Sequence, residues 1–76
     1  MKEREAIERM MERSRYNASQ LSVAMGRNRN FISTTFAKGS IPRVDTLAKM
    51  ADIMGYKVVL EGDGDRIEID PPSSEQ

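Results

Sequence analysis

The spacing of apolar residues changes at Gly55, from a period of about 3.6 before it to 2 after it. That switch divides the chain into a helical part, residues 1–55, and a two-stranded arm, residues 56–70, followed by a tail over 71–76. Ala6, Ile7, Met10 and Met11 form a narrow apolar stripe in a predicted first helix, Lys2 to Ser14. Glutamates near its start and Arg13 and Arg15 near its end complement the helix dipole, and Glu5 can pair with Arg9 one turn on. Asn17 opens a second helix. It is a preferred N-cap, Gln20 three residues on can close a capping box, and Tyr16 and Leu21 can form a hydrophobic staple. Leu21, Ala24 and Met25 are expected to face inward, and Gly26 to turn the chain with positive φ.

Asn28 then suits the N-cap of a third helix running to about Ala37. Ile32 and Phe36 are its expected buried side; Arg29, Asn30, Ser33, Thr34 and Ala37 lie on the other. Gly39-Ser40-Ile41-Pro42 breaks it. In the fourth helix, about Arg43 to Met54, the spacing sends Val44, Leu47, Ala48, Ala51 and Met54 to the core. Met50 and Ile53 lie beyond that stripe and either widen the core contact or face a partner. In the arm, a two-residue turn at Asp63-Gly64 pairs Glu61 with Arg66, Leu60 with Ile67, Val59 with Glu68, Val58 with Ile69 and Lys57 with Asp70. Tyr56, Val58, Leu60, Ile67 and Ile69 then share one face, and two opposite-charge pairs share the other. The expected fold class is mainly α, with four helices and a C-terminal β-hairpin.

Seventy-six residues make one domain whose core leaves roughly 3–5 kcal/mol of stability unless something else contributes. With no Cys and no His, disulfides and the usual transition-metal ligands are unavailable, so no cofactor is expected and self-association becomes the natural supplement. The commonest general base and the thiol nucleophile are also missing, and no carboxylate stands beside an evident nucleophile, so an enzyme is not expected. Asp63 and Asp65 around Gly64 are too few for a calcium loop and read as a turn. No apolar run approaches 18 residues and the N-terminus is highly charged, so neither a membrane span nor a signal peptide is expected, and the reading is cytoplasmic.

The formal net charge of zero conceals a separation. Residues 1–57 carry eleven Lys/Arg against six Asp/Glu, and 58–76 carry one against six, a formal +5 beside −5. From Arg13 to Val44 there is no acidic side chain at all among 32 residues, six of which are basic. Such a stretch, holding two short helices joined at Gly26, suits a polyanion. The third helix, about 28–37, would be about 14 Å long and 10–12 Å across, against a major groove about 12 Å wide. Arg29 can donate a bidentate pair to guanine and Asn30 to adenine, while Ser33 and Thr34 can bond to bases or touch a thymine methyl. Phe31 stands between core packing and contact with a sugar or thymine methyl.

Asn17 to Leu47 resembles the helix-turn-helix of phage repressor-like (Cro/XRE-type) transcriptional regulators: Leu21, Met25, Gly26, Ile32, Pro42 and Thr46-Leu47 fall where that pattern expects them. The resemblance covers most of the helical part. It implies a compact repressor-like bundle that binds operator DNA as a symmetric dimer, with half-sites roughly 34 Å apart. By that likeness Arg29, Asn30 and Thr34 read bases. Phosphates would be held by Asn17, Ser19 and Gln20, by Arg27 and Asn28, and by Lys38, Ser40 and Arg43 after the third helix. The sequence departs from the pattern at Ala18, where the family often has Gln, and at Arg27 and Thr35, which replace apolar residues. It departs again at Arg43, where a Ser-type cap is usual, and in a hairpin that takes the place of a fifth helix. The hairpin's aliphatic face, Val58, Leu60, Ile67 and Ile69, is expected both to cover the helical core and to form the homodimer interface, one edge pairing with the same edge of a second copy. A different reading is an antitoxin-like module that binds a protein partner, a toxin or another regulator, with or without DNA.

Overall fold

Each of the four helices ends on a residue with positive φ, Arg15, Gly26, Gly39 and Gly55, and these reversals fold the chain over one core. The computed structural model describes residues 1–72. It contains α1 (Glu3–Ser14), α2 (Ala18–Ala24), α3 (Phe31–Ala37), α4 (Val44–Ile53), β1 (Val58–Gly62) and β2 (Asp65–Ile69). Of the expected tail, Pro71 and Pro72 carry no regular structure, and 73–76 lie outside the described residues.

In α1 the main-chain N–H of Lys2 donates to Glu5 Oε1 at 2.9 Å, which caps the first turn. That bond occupies the carboxylate expected to meet Arg9, and the ion pair of this helix is instead Arg4–Glu8, at 3.1 Å on the surface. α2 is closed at both ends. Asn17 Oδ1 accepts from Gln20 N at 2.7 Å and Gln20 Oε1 accepts from Asn17 N at 3.0 Å, the reciprocal box expected from the sequence. At its other end Gly26 N donates to Val23 O and Arg27 N to Ser22 O, a Schellman closure for which the glycine's φ of 78° is required. Equivalent bonds end α3, from Gly39 and Ser40, and α4, from Gly55 and Tyr56.

The core joins Ile7 and Met10 of α1, Leu21 and Met25 of α2, Ile32 of α3, and Met50, Ala51 and Met54 of α4. Met11, Tyr16, Phe36, Leu47, Ile53 and Val58 pack at its margin. Two inward assignments are corrected. Ala24 is exposed, because the fully buried Ser22 takes the inward slot beside Leu21. Val44 is 56% exposed, because it heads α4 one turn beyond the elements that cover the core. The buried stripe of α4 is therefore Met50, Ala51 and Met54, with Ala48; Leu47 is half-buried beside it, and Met50 widens the core. Phe36 is half-buried at the margin, and α3 begins at Phe31, two residues later than its expected N-cap implied.

The hairpin has the expected register: Val58 opposite Ile69, Val59 opposite Glu68, Leu60 opposite Ile67, Glu61 opposite Arg66 and Gly62 opposite Asp65. Asp63 and Gly64 at its tip have φ of 52° and 75°, the two positive angles of a type I′ turn. Lys57 bonds diagonally to Glu68 at 3.4 Å and not to Asp70 as expected. Val58 anchors the hairpin on the core, whereas Leu60 and Ile67 nearer the tip stay 55% and 52% exposed. Among the described residues, no helix is long and apolar enough to cross a membrane.

Candidate nucleic-acid interface

A polar side chain buried between α2 and α3 holds these helices together. Ser22 Oγ donates to Ala18 O at 2.7 Å and accepts from Ile32 N at 3.1 Å. The hydroxyl thus satisfies one of the orphan amides in the first turn of α3, from a different helix. With Ile32 fully buried one residue into α3, this bond fixes both the position and the rotation of the short helix. The remaining lead-in is a turn. Asn28 Oδ1 accepts from Asn30 N at 2.8 Å, and Phe31 N donates to Asn28 O at 2.9 Å. Asn28 therefore organises the entry to α3, as a cap does, but Arg29 and Asn30 stand on the turn ahead of the helix and not within it.

Seven residues give α3 a length of about 10 Å. Arg29, Asn30, Ser33, Thr34 and Lys38 are all exposed on or beside it. The surface arranges all of these but Ser33 in two shallow hollows. Asn28, Asn30, Thr34, Lys38 and Ser40 share one with Arg27, whose guanidinium lies 4.7 Å from the centroid of the Phe31 ring. Arg29 belongs to the other, against Ser19, Gln20, Val23 and Ala24 of α2. The two hollows flank the entry turn, with Arg29 and Asn30 adjacent at the boundary. Ser33 is exposed but lines neither of them.

Electrostatically the two hollows are one-signed. Neither includes an acidic residue, and among the described residues none of Arg27, Arg29 and Lys38 has an ion-pair partner. Arg27 lies over the Phe31 ring, a contact that contributes about 0.5–1 kcal/mol at an exposed site. Of the two roles open to Phe31 from sequence it takes core packing, at the core margin, and its ring also lies under the Arg27 guanidinium. Asn17 and Gln20 are exposed but committed to the capping box. Arg43 stands apart from both hollows, paired with Asp45 at 3.3 Å and beside Ile69 and Asp70, where acidic neighbours offset its charge. Its own side chain supplies no cap. Asp45 instead accepts from Thr46 N at 2.8 Å in the first turn of α4.

Two features escaped the sequence reading. Ser22 gave no signal beyond a small polar residue next to Leu21 on a short helix, because its partner amide lies ten residues away. Val23, 60% exposed beside Arg29, breaks no spacing rule and only its position in the hollow makes it noticeable. No family model, curated protein or solved structure matches the chain.

Proposed function

We propose that the protein is a sequence-specific regulator of repressor type that binds double-stranded DNA as a homodimer through a helix-turn-helix made of α2 and α3. The observation that carries this reading is the exposed, acid-free polar face of α3, set rigidly across α2 by the buried Ser22 bond. A helix of this girth fits a major groove about 12 Å wide. In the proposed pose Arg29 and Asn30, on the turn at the tip of α3, address guanine and adenine edges, with Thr34 and Ser33 reaching further along the groove. Arg27, Lys38 and Ser40 hold one phosphate strand, and the start of α2, Ser19 with the capped Asn17 and Gln20, approaches the other. Asn28 serves mainly to shape the entry turn. Arg43, already paired with Asp45, contributes little.

The test is a selection of bound duplexes from a random pool, followed by titration of the Arg29→Ala and Asn30→Ala variants. Both side chains are exposed, so the fold is expected to survive. Each substitution is expected to weaken binding to the selected site by about 5- to 150-fold while relaxing preference at one base pair. A palindromic consensus is expected. Binding that is equal for both variants and the parent removes the proposal. The aliphatic hairpin face, with Leu60 and Ile67 more than half exposed, also favours a second reading as an antitoxin-like module for a protein partner. Under that reading partner binding survives both substitutions.

A further inference from the structure

We infer that the outer edge of β1 pairs antiparallel with the same edge of a second copy of this chain, about a two-fold axis at Val59, to give one four-stranded sheet. The inference rests on the dimeric half of the proposed function and is independent of its DNA-binding half. Its starting point is the turn. In a two-residue hairpin the flanking Gly62 and Asp65 exchange both main-chain hydrogen bonds, and bonding then alternates along the ladder. Val58 and Leu60 therefore turn their amides toward β2, whereas Lys57, Val59 and Glu61 turn theirs outward.

Charge selects one register from those the outward amides allow. With Val59 facing its own copy, Lys57 meets Glu61 of the second copy at both ends, and Val58 meets Leu60 on the aliphatic face. A centre at Lys57 or at Glu61 sets like charges directly opposite each other. A centre at Leu60 sets each Val58 against a glycine, and a centre at Val58 leaves both Lys57 side chains facing valine. The β2 edge is worse matched. Centred on Glu68 it opposes two glutamates, and centred on Ile67 it puts Asp65 against Ile69 within the aliphatic row. The end of β2 also lies beside Arg43, Val44 and Asp45 of its own chain.

The β1 arrangement gives the exposed Leu60 an aliphatic neighbour. Leu60 comes to lie beside Val58 of the second copy, so that Ile67, Leu60 and the second copy's Val58 and Ile69 form one row across the four strands, and Val58 already packs on the helical core. Each tip thereby extends its partner's core. On the other face Lys57, 3.4 Å from Glu68 within its own hairpin, gains Glu61 of the second copy as another carboxylate.

Sedimentation of the full chain tests this. Lys57→Glu and Glu61→Lys alone place like charges at both ends, and each is expected to weaken the dimer about tenfold. A 1:1 mixture of these two variants restores opposite charges at both ends, and is expected to return affinity to within about threefold of the parent. Val59→Pro removes an outward N–H that the hairpin does not use, and is expected to give monomers of unchanged helical content. A mixture as weak as the single variants overturns the inference, as does a dimer lost on Arg66→Glu but not on Val59→Pro. A parent chain monomeric at about 100 µM overturns it too, while Arg29 and Asn30 would still test DNA binding separately.

Discussion

Among the described residues Ser22 is the one polar side chain that is buried. Its hydroxyl is fully buried, and it is both donor to α2 and acceptor from α3. Replacing it by alanine removes the acceptor and leaves the Ile32 amide without a partner in a site that water does not reach. An orphaned buried donor costs about 1–3 kcal/mol. Against a total of roughly 3–5 kcal/mol for a core of this size, that is a large fraction. Ser22→Ala is therefore expected to lower the urea midpoint sharply without changing the slope of the transition. Cysteine at this position would test shape against hydrogen bonding, since it preserves volume with a weak acceptor. An alanine variant as stable as the parent would mean that the Ile32 amide finds another acceptor, and the Ser22 bond could no longer be what fixes the rotation of α3.

The α2–α3 pair also shows how far a sequence can be read into elements. Caps and closures are local, and so the Asn17–Gln20 box, the reversal at Gly26 and the hairpin register were all legible. The register was legible because a one-residue slip would carry Val58, Leu60, Ile67 and Ile69 to the charged face. What failed was helix phase. In a two-turn helix Leu21 and Met25 fix the inward direction only broadly, and a polar residue with a distant partner displaced Ala24 from it. Likewise Val44 keeps the helical spacing of α4 but, at its first residue, stays more than half exposed outside the core. For the candidate interface, exposure of Arg29, Asn30, Ser33 and Thr34 was legible, but the division of Arg29 from Asn30 and Thr34 between two hollows was not, because the entry turn separates Arg29 from Asn30 in direction. Gly26 gives the element its own test. A Cβ there would meet nothing within 4 Å, so the only penalty of Gly26→Ala is its φ of 78°. That conformation costs an L-residue about 1–2 kcal/mol, and the variant is expected to lose that much stability, read from thermal or urea unfolding, while keeping a parent-like circular dichroism spectrum.

At the scale of the whole molecule the governing quantity is where charge sits, because the sum is zero. The largest dimension is 39 Å. At about 0.01 M salt the screening length is roughly 30 Å, so an approaching polyanion senses nearly the whole chain and the acidic hairpin opposes the basic helices. At about 0.15 M it is roughly 8 Å, and only the charges lining the contact count. No hairpin residue lines either hollow beside α3, so the hairpin acids should matter in the first condition and not in the second. Asp63→Asn with Asp65→Asn isolates this effect. Asparagine suits the type I′ turn at least as well, and at residue 65 it retains the oxygen that accepts from Arg66 N at 2.8 Å. Under the DNA-binding proposal the double variant is expected to bind duplex several-fold more tightly than the parent at about 0.01 M salt, and within about twofold of it at about 0.15 M. Titration at the two salts separates the possibilities. An equal gain in both would place the turn against the nucleic acid, which contradicts the proposed pose. No gain at low salt would mean that the basic face does not engage a polyanion through its field, and the electrostatic basis of the proposed function would fall with it.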